Sequence, residues 1–108
     1  MELLTRLEEV ILMSIWRLKD DAYGVTINRE VSGMTGKEYS MGALYFSLDQ
    51  LLRKGFVSKR YGNPTPERGG RSKIFYDLTG EGKTALQNVR KLQESLWSDV
   101  PEFEFTKK

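Results

Sequence analysis

Apolar residues return every three to four positions along the start of the chain. Leu4, Leu7, Ile11, Ile15 and Leu18 mark this spacing and predict a helix over 1–19. Its middle, Val10 to Trp16, is apolar at every position except Ser14. A helix apolar on nearly all sides must be covered on nearly all sides. A chain of 108 residues builds a modest core that covers one face, which leaves another for a second subunit. The alternative is a central helix in a monomeric core. Asp20 and Asp21 break the pattern and offer capping oxygens. Tyr23, Ile27, Val31 and Met34 then mark one face of a shorter helix, which Ser32, Gly33 and Gly36 loosen at its end.

A polar stretch, Thr35 to Tyr39, leads to Ser40, a good N-cap for a third helix. Leu44, Leu48, Leu51 and Leu52 form its inward stripe, and Gly55 is placed to end it. At about 100° per residue the outward face carries Gly42, Ala43, Phe46, Asp49, Gln50 and Arg53, with Tyr45 at its edge. Residues 56–61 and 73–78 are rich in aromatic and β-branched side chains and predict two strands. The connection from Gly62 to Ser72 contains Pro64 and Pro66 and is too long for a tight hairpin, so it is expected to be exposed and mobile. Thr79 caps a last helix whose apolar stripe is Ala85, Leu86, Val89, Leu92, Leu96 and Trp97, stopped before Pro101. About twenty residues span roughly 30 Å, long for so small a domain. The first and last helices therefore predict a homodimer through 1–19 and 84–100, with Leu7, Ile11, Ile15, Val89, Leu92 and Leu96 as contacts.

Charge sharpens this picture. Arg53, Lys54, Lys59, Arg60, Arg68, Arg71 and Lys73 face a single acid, Glu67, so 53–73 carries +6 in a chain of net +2 and leaves −4 for everything else. A helix followed by a basic hairpin is how a winged-helix protein grips duplex DNA. The fold class this predicts is α+β, mostly helical: a winged helix-turn-helix with a two-stranded wing over 1–79, then a C-terminal dimerisation helix and tail over 80–108. The expected DNA contacts are Ser40, Gly42, Ala43, Tyr45, Phe46, Gln50 and Arg53 on the helix and Arg68, Gly69, Gly70, Arg71 and Lys73 on the wing. Glycines at the wing tip allow close approach to phosphates, or arginine insertion into a minor groove. Basic residues are common on surfaces, and Asp49 would repel phosphate unless it pairs with Arg53 one turn on. A winged-helix module that binds protein rather than DNA is the alternative.

Other chemistry is poorly supplied. The chain has no histidine and no cysteine, which removes the commonest general base, the commonest metal ligand and all thiolate chemistry. Gly80-Glu81-Gly82 lacks the lysine and hydroxyl of a phosphate loop. No enzyme activity, metal or cofactor is expected. No apolar run approaches membrane-spanning length and the first residues lack a secretory pattern, so a cytoplasmic protein without membrane contact is expected.

Three stretches together resemble the PadR family of bacterial transcriptional regulators: Asp21-Ala22-Tyr23-Gly24, then Ser40-Met41-Gly42-Ala43-Leu44-Tyr45, then Gly69-Gly70-Arg71 followed by Phe75-Tyr76-Asp77-Leu78-Thr79. Their order and spacing run over residues 3–86. The resemblance implies a winged-helix DNA-binding domain and a homodimer joined through its N- and C-terminal helices, on a pseudo-palindromic operator. The single helix after Thr79 is similar to the short-tailed members, some of which sense small aromatic compounds, and others repress genes for phenolic-acid detoxification or drug export. A repressor released by a small aromatic effector is therefore expected, with Trp97 and its symmetry mate flanking the ligand and Trp16 contributing to the same wall. Packing alone is the other reading of Trp97. Phe46 departs from the family pattern, where many members carry a smaller residue or proline.

Overall fold

The computed structural model of the chain describes residues 3–62 and 73–105. Helix α1 spans Arg6–Leu18 and starts later than the periodicity suggests. The cause is Thr5, whose hydroxyl accepts from the Glu8 backbone N–H at 3.1 Å while the Glu8 carboxylate accepts from the Thr5 N–H at 2.9 Å. That reciprocal cap leaves Leu3 and Leu4 outside the helix. A 3-10 turn at Lys19–Asp21 follows, and α2 spans Gly24–Thr35. The two aspartate side chains do not cap α2. The Thr26 hydroxyl accepts from the Tyr23 N–H at 3.0 Å and donates back to the Asp21 carbonyl. Gly36, at φ 71°, ends α2 in the left-handed conformation.

Helix α3 spans Met41–Arg53, capped by Ser40, whose Oγ accepts from the Ala43 N–H at 3.1 Å. It ends in a Schellman motif. Gly55 takes φ 77°, its N–H bonds the Leu52 carbonyl, and the Phe56 N–H bonds the Leu51 carbonyl, both at 3.0 Å. Strands β1 (Val57–Tyr61) and β2 (Ile74–Leu78) pair antiparallel, Val57 opposite Leu78 and Tyr61 opposite Ile74. The chain before α2 joins β2 through a bridge between Tyr23 and Phe75 and a bond from the Tyr76 N–H to the Ala22 carbonyl at 2.8 Å. Helix α4 spans Gly80–Trp97, capped by Thr79.

Helices α2, α3 and α4 and strand β2 all pack on α1. Ile11, Leu12 and Ile15 meet Ala22, Ile27 and Val31, then Leu44, Leu48 and Leu51 of α3, with Val57 and Tyr76 closing the hairpin side. Ser14 is fully buried among them and satisfied by donating to the Val10 carbonyl at 2.8 Å. This packing corrects one expectation. Ile11 and Ile15 are inside the protomer's own core and have no surface to offer a partner, whereas Leu7 is half-buried against that core. The apolar side chains that α1 turns outward are Met13 and Trp16, the latter 51% exposed. The other sides of α1 are covered by α2, α3, β2 and α4.

Candidate nucleic-acid interface

The leucine stripe of α3 fixes which side faces out. With Leu44, Leu48 and Leu51 fully buried, Gly42, Ala43, Asp49 and Arg53 lie exposed at the surface, beside a half-buried Gln50. Phe46 projects furthest into solvent, 67% exposed. Tyr45, 47% exposed, is anchored: its ring lies over the first turn of α2, and a Cβ on Gly24 would overlap its hydroxyl. Gly24 is thus the glycine that lets α2 and α3 approach. Asn28 steadies the entry to α3 by donating to the Tyr39 carbonyl at 3.0 Å, and the Lys37 ammonium sits 5.1 Å from the centre of the Tyr39 ring.

The electrostatics are more local than a count of charges implies. Arg53 pairs with Asp49 at 3.3 Å, one turn apart on α3. Lys54 holds the Glu8 carboxylate at 2.8 Å, tying the end of α3 to the start of α1. Burial alone would raise the pKa of Glu8; the bonds from Lys54 and the Thr5 N–H, with the charge of Lys54, outweigh it and hold the carboxyl below its ordinary value. Arg60 bonds Asp77 across the hairpin at 2.9 Å and the Asp20 carbonyl at 2.9 Å, with its guanidinium 4.7 Å from the Phe75 ring centre. Phe75 meets Tyr23 edge-on at 5.5 Å, and the Lys73 ammonium lies 4.2 Å over Tyr23. This alternating cation–aromatic stack braces the root of the wing against α2. Lys73, expected on the DNA, is therefore engaged with Tyr23. Tyr76, buried beneath, has its phenol pushed above the usual 10.0 by that burial, with Tyr45, Asp49 and Tyr61 adding to it. Arg68, Gly69, Gly70 and Arg71 lie outside the described residues.

The two tryptophans occupy different places. Trp16 lies under the Lys83 ammonium, 5.4 Å from its ring, near the start of α4. Trp97 ends α4 and meets Phe103 edge-on at 6.0 Å. Lys83 and Trp97 are about 21 Å apart by helix rise, so one protomer does not bring the tryptophans to a common wall. Val89 is half-buried, while Leu92, Leu96 and Trp97 continue its stripe in the open.

Sequence spacing could not find the role of Gly24 or the cation–aromatic stack, because each depends on which elements touch. The one signal was the presence of Tyr23-Gly24 at a helix start.

A model of the transcriptional regulator PadR-like family matches residues 11–88. The chain belongs to that family. Several solved structures have the same fold. RosR of H. salinarum is 31% identical at a TM-score of 0.70, over 91% of this chain and 81% of RosR. A second RosR structure, described as the complex structure of hsRosR-S1, is 30% identical at 0.73, over 90% and 79%. A PadR family transcription regulator from Clostridium difficile R20291 is 25% identical at 0.67, over 85% and 90%. No curated protein sequence matches. The fold is thus the PadR winged helix, with α2 and α3 as its helix-turn-helix, β1 and β2 as its wing and α4 as an additional C-terminal helix. PadR proteins are transcription regulators that bind DNA, not enzymes. No helix among the described residues is long and apolar enough to cross a membrane.

Proposed function

We propose that this PadR protein is a cytoplasmic, homodimeric, sequence-specific repressor released from a pseudo-palindromic operator by a small aromatic ligand. In this reading α3 enters the major groove and the wing lies on the backbone or in the minor groove. The observation that carries it is α3 itself: one face is sealed by leucines, and the other presents small residues, Tyr45, Phe46 and polar groups at the surface of the described residues. The stripe that runs from half-buried Val89 to exposed Leu92 and Leu96 supports pairing of two copies through 80–108, which would set two α3 helices about one DNA turn or a multiple of it apart. Trp97, open at the end of that stripe, supports stacking of a flat aromatic ligand beside it.

The test is a titration of DNA from the region upstream of the protein's own gene, at several salt concentrations, with and without a planar aromatic compound. Affinity should fall with salt at a log–log slope of about −0.9 per phosphate contact. Arg71→Ala should flatten that slope, and the compound should weaken binding by wild type but not by Trp97→Ala. Affinity for DNA that ignores salt would leave the fold as a protein-interaction module. An aromatic compound without effect on operator affinity would remove the sensor role.

A further inference from the structure

Phe46 is the feature of α3 that phosphate chemistry does not explain. A phenyl ring 67% exposed on the face of a helix otherwise held in place by a complete leucine stripe contributes nothing to the core. Its neighbour Tyr45 lies over Gly24, whereas Phe46 makes none of the ring contacts or core packing among the described residues. The residues one turn back, Gly42 and Ala43, are the smallest available and both are exposed, so no bulk stands between the ring and a groove floor. One turn on, Asp49 is held by Arg53 rather than reaching toward bases. Phe46 also lies in the first two turns of α3, the part of a recognition helix that meets base edges.

A phenyl ring neither donates nor accepts hydrogen bonds, and burying it against the polar edges of guanine, cytosine or adenine would strip those edges of water for no return. The major groove offers one apolar group, the 5-methyl of thymine. Resting on the DNA reading above, we infer that Phe46 is a specificity-determining residue that selects thymine by packing on its 5-methyl group, with Ala43 completing the apolar surface. Specificity at that base pair comes from apolar contact rather than from hydrogen bonding.

The experiment uses the full-length protein and the tightest duplex selected from a random-sequence pool. Each thymine in turn is replaced by uracil, which removes only the methyl group. Wild type should lose about fourfold in affinity per methyl read, the worth of roughly one buried CH2, at one position or at its symmetry pair and nowhere else. Phe46→Ala should bind the thymine and uracil duplexes at that position equally, while keeping the wild-type salt slope and thermal stability. Phe46→Leu should restore part of the preference. Equal wild-type affinity for thymine and uracil duplexes at every position overturns the inference while leaving salt-dependent DNA binding intact. So does a preference that persists in Phe46→Ala, or a Phe46→Ala loss that is the same on both duplexes, which marks a wedge between bases. Failure to bind any duplex at low salt overturns the DNA reading itself.

Discussion

A single glycine shows how much can hang on one missing carbon. Thr79 caps α4 by accepting from the Gly82 N–H at 3.0 Å, donates its hydroxyl to the Gly55 carbonyl at 2.6 Å, and bonds the Phe56 carbonyl through its own N–H at 3.1 Å. Those bonds draw the first turn of α4 onto the backbone entering β1, where a Cβ on Gly82 would overlap the Phe56 carbonyl. Backbone cannot swing aside as a side-chain tip can. Gly82→Ala should therefore lower stability by about 1–3 kcal/mol despite the better helix propensity of alanine. Gly80→Ala, two residues earlier with nothing within 4 Å, should change it by less than about 0.5 kcal/mol. Urea midpoints of the two variants check the contrast; equal midpoints would mean that the close approach carries no energetic weight. From the sequence, Gly80-Glu81-Gly82 could only be rejected as a phosphate loop. The reason Gly82 stands there lies in Phe56, a residue on another element.

At the scale of elements, the capping and periodicity signals were legible and the pairings were not. Ser40, Gly36, Gly55 and Thr79 act as helix punctuation because their chemistry is local. Lys54 belongs, by sequence, to a basic segment facing DNA; in the structure it crosses to Glu8 and locks α3 to α1. The sign of the pH dependence follows from that pair. Glu8 is held below its ordinary 4.5, so its contribution is complete above that value and is lost as pH falls through the lower, folded value. Glu8→Gln keeps a side chain able to serve the Thr5 cap but removes the charge. It should cost about 1–2 kcal/mol at neutral pH, with the difference from wild type shrinking as pH drops below about 4.5. Urea unfolding at neutral pH and near pH 3 measures this, and a difference independent of pH would assign the cost to shape rather than charge.

At the scale of the molecule, the Cα radius of gyration is 16.7 Å against roughly 13 Å for a compact chain of this length, because α4 runs beyond the core. Only Gly82 of that helix is fully buried, and Leu96 is 60% exposed. Stability and assembly should therefore separate by position. Leu92→Glu with Leu96→Glu should leave the protomer folded and shift a dimeric mass to a monomeric one in sedimentation. Ile11→Glu should abolish folding instead, since it buries an unpaired charge in the core. A wild type that sediments as a monomer at micromolar concentration would contradict the dimer, and a double variant that unfolds would place Leu92 and Leu96 in the protomer's own architecture.

The sequence by itself determined the element order, the leucine face of α3 and hence its outward face, because helical periodicity and end caps act over four residues or fewer. It also pointed to the PadR family, through motifs that are contiguous in the chain. Only the tertiary structure decided that Ile11 and Ile15 serve the protomer's core, that Lys54 and Arg60 are held by carboxylates, and that Trp16 and Trp97 stand apart. Each of these depends on packing between residues far apart in sequence, and an apolar or charged residue carries no mark of which neighbour, within the fold or beyond it, will cover it.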